Sequence, residues 1–165
     1  MSNTSTSDLY KRNQVENNQQ PDKQLFCPSA QADWKSVKVF GVAIGTVEKP
    51  KVSYLEHAVP LSQDLIDMVS PVDPAEVFRV TSPCASEKCL HYKKERCQLV
   101  KRTVANLQAV TENLPKCPIR ESCRWWDEHH EQACYRCPQV VTNNFTTDDT
   151  IISTATPSKK NHKDN

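Results

Sequence analysis

The chain has 165 residues, a formal net charge of +1 and 37% hydrophobic residues. This length fits one domain with tails, and the near-neutral charge gives no overall reason to expect a nucleic-acid or membrane partner. No apolar run resembles a signal peptide or approaches the roughly eighteen residues of a membrane span. We therefore expect a cytoplasmic protein that does not enter a membrane and whose thiols stay reduced.

Both ends of the chain are rich in Asn, Ser, Thr and Gln. Residues 1–24 and 142–165 carry too few apolar side chains to offset the cost of ordering, so both are predicted to be disordered tails. Residues 25–141 are predicted to form one small α+β domain. Within it, residues 25–83 supply a β-hairpin and short helices, and residues 84–141 form a helical, cysteine-rich, metal-binding half.

The segment "WKSVKVFGVAIGTVEKPKVSYLEHAV" predicts the β-hairpin. Valines and an isoleucine recur through residues 37–47, and Val52 and Tyr54 begin a second strand. Gly41 and Gly45 are the two glycines of the chain. A glycine inside a strand indicates a bulge or a close backbone approach.

Helix signals follow the hairpin. Ser62 can cap a short helix that Pro71 stops, and Asp73 followed by a proline begins another. The longest helix is predicted over residues 97–114 because apolar residues recur there at helical spacing. A further helix is predicted over residues 120–130.

Seven of the eight cysteines fall within residues 84–137, with the spacing C-x4-C-x7-C-x19-C-x5-C-x10-C-x2-C. A disulfide framework is disfavoured in a reducing compartment, so metal or cluster ligation becomes the leading interpretation. The candidate ligands are Cys84, Cys89, Cys97, Cys117, Cys123, Cys134 and Cys137, with His91, which stands two residues after a cysteine.

The type of metal depends on the spacing. A zinc site usually presents two short C-x2-4-C knuckles, and only "CYRC" at 134–137 fits well. Iron–sulfur clusters accept less regular spacing, and Cys27, Cys117 and Cys137 each precede a proline, as does the cysteine that closes the bacterial ferredoxin motif. An iron–sulfur cluster is therefore favoured, with zinc as the alternative and unligated thiols as the third possibility.

Helix geometry constrains the site. On an unbroken helix Cys123 and Cys134 would lie about 16 Å apart, too far to share one ion or one compact cluster easily. Either the helix breaks near "EHHEQ", or the two cysteines serve different ends of the site. His129 and His130 within that stretch are expected at the surface. The site is completed by Cys117, Cys137, Cys84 and Cys89, with His91 or Cys97; the number of centres and the part played by Cys27 stay open.

Three functions compete. The first is electron transfer or redox sensing with a protein partner. The second is a structural zinc module that binds a protein or a nucleic acid, because residues 84–137 carry ten Lys and Arg against seven Asp and Glu. The basic candidates for that contact are Lys93, Lys94, Arg96, Lys101 and Arg102.

The third function is a thiol redox enzyme that uses Cys134 and Cys137. Catalysis is the less expected outcome, because a chain with two glycines has no Gly-rich phosphate loop and no nucleophile-elbow motif occurs. No catalytic residue can be assigned from the sequence.

The stretches "VKVFGVAIGTVEKPKVSYLE", "PCASEKCLHY" and "CPIRESCRWW…ACYRCPQVVT" resemble a group of small uncharacterised bacterial cysteine-rich proteins. The resemblance covers roughly residues 27–142 and neither tail. It implies a shared cysteine pattern and one compact domain, and it carries no activity with it.

Overall fold

The computed structural model describes residues 23–140 and 148–157. An antiparallel four-stranded sheet with the order β1-β4-β2-β3 lies beside a two-stranded ribbon, β5-β6, and a set of helices. This confirms the predicted α+β class. The strands are β1 Phe26–Cys27, β2 Lys38–Ala43, β3 Val52–Pro60, β4 Phe78–Pro83, β5 Tyr92–Lys93 and β6 Arg96–Cys97.

The helices are short, and most of them lie in the second half of the chain. Single 3-10 turns form at Ser86–Lys88, Arg120–Ser122 and Cys137–Gln139. None of the helices in the described ranges is long and apolar enough to cross a membrane. The helices are α1 Gln63–Val69, α2 Pro74–Val77, α3 Gln98–Asn106, α4 Arg124–Cys134 and α5 Asp149–Ala155.

The predicted hairpin is confirmed by β2 and β3, which pair antiparallel. The register shifts between Val39 and Gly41 on both sides of β2. A Cβ atom at Gly41 would lie 2.6 Å from Cγ1 of Val52, so a side chain there would force the neighbouring strand or its side chain to shift. The expected bulge and close approach therefore occur together at Gly41.

Strand β4 was not predicted from the sequence. Ser62 and Asp73 cap α1 and α2 as expected, but α2 ends after four residues and the chain turns directly into β4. The strand lies inside the sheet, between β1 and β2. Pairing with a strand on each side stabilises the extended backbone of β4. In the sequence, the helix cap just before this segment indicates a helix instead.

Two apolar clusters form on opposite sides of the sheet. Val39 and Val80 belong to the cluster that packs against Leu65 and Val69 of α1. Phe40 belongs to the other cluster, which contains residues of α3 and α4 and the two buried cysteines. The β-hairpin region therefore forms a wall of the cysteine-rich half.

Helix α3 is shorter than the predicted helix over residues 97–114. The chain leaves the helix at Leu107, whose carbonyl oxygen accepts a hydrogen bond from Arg136 Nε at 2.7 Å. The Val110 amide then donates to the carbonyl of Tyr135 at 2.9 Å. Contacts with the end of α4 thus replace the last helical turns that the apolar periodicity favours.

The predicted disordered tail over residues 142–165 is wrong for part of its length. Residues 149–155 form α5, whose N-terminal amides are capped by the Asp148 side chain. Thr154 is fully buried, and Arg102 and Asn106 of α3 donate hydrogen bonds to it. Residues 1–22, 141–147 and 158–165 lie outside the described residues.

Candidate metal centres

Four cysteines line one cavity of about 380 Å³ beside the β5-β6 ribbon. They are supplied by the end of β1, the loops before and after the first 3-10 turn, and the end of β6. The distant strand β1 reaches this place because it pairs with β4, which brings its last residue opposite Ser82. We call this group the outer set: Cys27, Cys84, Cys89 and Cys97.

The other four cysteines line a second, much smaller cavity of about 20 Å³. They come from the loop before the second 3-10 turn, the residue before α4, the end of α4 and the third 3-10 turn. Its remaining walls are largely apolar and include Phe40, Trp125 and Trp126. We call this group the inner set: Cys117, Cys123, Cys134 and Cys137.

The sequence leaves the number of centres open, and the two cavities divide the cysteines differently from the grouping expected from their spacing. Cys84 and Cys89 were expected to complete a site with the cysteines around α4, but they line a cavity with Cys97 and Cys27 instead. Cys27, whose part was left open, belongs to the outer set. The Cys-Pro pair at residues 27–28 matches those at 117–118 and 137–138, which belong to the inner set, so this sequence signal marks Cys27 as a candidate ligand without indicating its set.

A break in α4 brings Cys134 back toward Cys123. His130 has φ 48° and ψ −137°, which lies outside the helical region and separates two helical stretches. The break falls within "EHHEQ", so the helix break expected from the spacing of Cys123 and Cys134 is confirmed. His130 is exposed and its ring contacts Trp126 edge to face, with centroids 5.4 Å apart.

His91 lines the outer cavity but is poorly placed to serve as a metal ligand. Its Nδ1 lies 2.9 Å from Nη2 of Arg102, and a guanidinium can only donate. The neutral imidazole therefore carries its proton on Nε2, which leaves no free lone pair on the ring. Burial and the charge of Arg102 lower the pKa of His91 and so favour this neutral form.

Burial and neighbouring thiols act together on the outer cysteines. Burial is the largest cause that raises the pKa of the Cys27 thiol far above its usual range, and the thiols of Cys97, Cys84 and Cys89 raise it further. Burial also raises the pKa of Cys97 to about 11. Each cysteine of this set therefore lies within electrostatic range of Cys27.

The inner set shows the same mutual effect. Burial raises the pKa of Cys117 and of Cys134 to about 11, and Cys137 contributes to both increases. Burial likewise raises the pKa of Cys123 well above its usual range, with Cys137 and Cys117 adding to the shift. The cysteines of the inner set are thus close to one another.

A buried arginine lies against the inner set. Arg79 of β4 is 3% exposed and donates from Nη1 to the carbonyl of Cys137 at 2.8 Å and from Nη2 to its sulfur at 3.3 Å. Nη2 also donates to the carbonyl of Pro28, and the guanidinium lies 5.6 Å from the ring centroid of Phe40. None of these partners carries a formal negative charge unless Cys137 is a thiolate.

A second arginine borders the same cavity. Arg120 lies within electrostatic range of Cys117 and Cys134, and its guanidinium lies 5.2 Å from the ring centroid of Trp126. Its Nε and Nη2 atoms are buried and have no hydrogen-bond partner among the described residues. Positive charge is therefore available on two sides of the inner thiols.

Arg124 supplies a positive charge beside the outer set. Its guanidinium interacts with Cys84, donates to the hydroxyl of Ser86 at 3.1 Å and pairs with Glu128 at 3.5 Å. Glu128 in turn accepts a hydrogen bond from the backbone amide of Cys97 at 3.1 Å. A buried network thus connects α4 to two of the outer cysteines.

The basic candidates for nucleic-acid binding are divided. Lys93, Lys101 and Arg102 line a shallow cavity of about 220 Å³ next to the exposed Leu90. Arg102 is partly buried and is held by Thr154 and His91, so its guanidinium is not free. Lys94 and Arg96 lie at the exposed turn and second strand of the β5-β6 ribbon.

Within residues 23–140 and 148–157, no three His, Cys, Asp or Glu side chains form a group that could hold a single metal ion. All eight cysteines are free thiols. The four side chains of each set surround a cavity rather than meeting at one point.

Comparison with known proteins gives no assignment. No protein-family model, no curated protein and no solved structure matches the chain. The likeness to small bacterial cysteine-rich proteins stays a resemblance.

Proposed function

We propose that this chain is a cysteine-ligated metal protein that carries iron–sulfur chemistry and acts in electron transfer or redox sensing. The observation that carries the proposal is the arrangement of all eight cysteines in two groups of four, each around its own cavity. Four thiolates are the usual ligand set of a cluster. A cluster supplies one-electron transfer when it is bound.

The arginines beside the cysteines support thiolate chemistry. Burying an unpaired positive charge is costly, and the described partners of Arg79 offer compensation only through the sulfur of Cys137. A four-thiolate metal centre has net negative charge, so Arg79 and Arg120 would balance part of it. Hydrogen bonds and charges around cluster sulfurs also tune the reduction potential.

The eight free thiols suit a reducing compartment, and the proposal therefore places the protein in the cytoplasm. The partner would be a protein that donates or accepts single electrons. The exposed Leu90, with Lys93 and Lys101 nearby, is the surface next to the outer cavity that such a partner could contact.

Anaerobic purification tests the proposal. The protein should be coloured, with iron and acid-labile sulfide in similar amounts, and the visible absorbance should bleach on reduction. A colourless protein with neither iron nor sulfide, even after anaerobic reconstitution with both, would contradict the iron–sulfur assignment.

A structural zinc module is the second candidate. The compact inner cavity, about 20 Å³, favours a small occupant there. Zinc bound without iron in the anaerobic preparation would select this alternative. Nucleic-acid binding would then be checked with Lys93→Glu and Lys101→Glu, which should weaken binding and lessen its dependence on salt.

The thiol redox enzyme is not favoured by the site. A reactive thiol of a C-x-x-C motif needs a lowered pKa, whereas burial raises the pKa of Cys134 to about 11. Cys137 is buried and lies under Arg79. A mixed disulfide trapped at either cysteine under mild oxidation would support the thiol redox enzyme instead.

A further inference from the structure

We infer that the chain holds two separate thiolate-ligated centres, an outer one that includes Cys27 and an inner one formed by the cysteines around α4. The inference rests on the proposed function, because it concerns how the same cysteines are grouped around the metal that the proposed function requires. It assigns Cys27 as a ligand, although Cys27 lies 57 residues before Cys84, the nearest other cysteine of its set.

The two cavities differ in the cysteines that line them. Each is lined by four cysteines, and no cysteine lines both. The electrostatic neighbours agree, since the thiols that act on Cys27 are all outer and those that act on Cys123 and Cys134 are all inner. Four thiolates complete the shell of one tetrahedral ion or of one cluster.

A tryptophan and a segment of backbone lie between the two cavities. The indole of Trp125 is 1% exposed and lies in the wall of both. Phe26 forms a parallel bridge with Cys123, so the strand that supplies Cys27 runs beside the start of α4. A large side chain and backbone therefore occupy the place where a single shared centre would have to be.

The two cavities also differ in size and lining. The outer cavity is large, and its lining includes the exposed Leu90 and the polar side chains of Lys88 and Gln31. The inner cavity is small, and the rings of Phe40, Trp125 and Trp126 help to enclose it.

Titration of the metal-free full-length chain with Co²⁺ under anaerobic conditions tests the number of centres. Thiolate-to-cobalt absorbance should rise until about two equivalents are bound, one for each set, as the four side chains that surround each cavity turn inward onto the ion. Saturation at about one equivalent would overturn the inference. Absence of any binding would contradict the proposed function itself, so the two failures can be told apart.

Paired substitutions test the partition in the protein as purified. Cys27→Ala with Cys89→Ala should remove the metal of the outer set and leave the remainder, and Cys117→Ala with Cys134→Ala should do the reverse. The metal lost from the first variant and the metal lost from the second should add up to the metal content of the unmodified protein. Loss of all metal from both variants, each with an unchanged circular dichroism spectrum, would overturn the inference.

Cys27 requires its own comparison. Cys27→Ala should speed the chelator-dependent release of part of the metal by at least tenfold and leave the rest unaffected. Ser82→Ala is the matched control, because Ser82 faces Cys27 in the sheet register and belongs to neither set. Equal release rates for the two variants would remove Cys27 from the outer centre.

Discussion

Nη2 of Arg79 lies 3.3 Å from the sulfur of Cys137, and both residues are buried. The central strand of the sheet thereby places a positive charge directly against the inner cysteines. The contact joins the two halves of the chain, since Arg79 also binds the backbone carbonyls of Pro28 and Cys137.

Arg79→Met should weaken both folding and metal retention. It leaves the two carbonyls without a donor and the thiolate of Cys137 without a counter-charge, and removing one partner of a buried charged pair costs about 3–5 kcal/mol. Arg79→Lys keeps the charge and should recover part of the loss. Chelator-dependent metal release and urea unfolding measure the two effects; equal release from the Met and Lys variants would show that the charge is not needed.

The backbone of His130 gives a second prediction. Its positive φ is unfavourable for a residue with a side chain, so His130→Gly should be more stable than His130→Ala by about 0.5–1 kcal/mol. Both variants lose the contact between the histidine ring and Trp126, and the difference therefore reports the backbone alone.

His129 is the control for this pair, because it lies in the helical part of α4 just before the break. There the order should reverse, with His129→Gly less stable than His129→Ala by about 1 kcal/mol. Thermal unfolding of the four variants checks both orders. The same order at the two positions would contradict the assigned break.

The bulge in β2 gives a third prediction. Gly41→Ala should destabilise the protein by about 1–3 kcal/mol, because the new Cβ would lie 2.6 Å from Cγ1 of Val52. Shortening the neighbour in a Gly41→Ala and Val52→Ala double variant should cost less than the sum of the single changes. Additive costs in urea unfolding would place the strain elsewhere.

Helix α5 gives a fourth prediction, since Ala155 and Pro157 line the outer cavity. Thr154→Val keeps the size of the buried side chain but removes the hydroxyl that Asn106 contacts, so α5 should pack less firmly on α3. Metal release from the outer set should become faster, while release from the inner set should not change. Ser153→Val is the control, because Ser153 is exposed.

The parts of the fold that local signals determine were predictable. The caps at Ser62 and Asp73 and the bulge at Gly41 depend on residues close in sequence, and all three are confirmed. The break near His130 followed from a distance argument about two cysteines and is confirmed as well. Each of these depends on the helix period, the strand period or one residue type.

The parts that depend on distant partners were not predictable. Strand β4 forms because β1 and β2 pair with it. Helix α5 forms where Arg102 and Asn106 donate hydrogen bonds to its Thr154. The same limit applies to the site. The order of the cysteines along the chain leaves the number of groups and the place of Cys27 open, because it is the pairing of β1 with β4 that brings Cys27 to the outer set.

The two sets differ in how far apart their cysteines lie in the sequence. The inner cysteines all fall within residues 117–137, whereas the outer set is complete only after β1 has paired with β4. Closing the longer loop costs more chain entropy and must follow the non-local pairing of strands. We therefore expect the inner centre to assemble first during maturation, and the outer centre to complete the process once the sheet has closed.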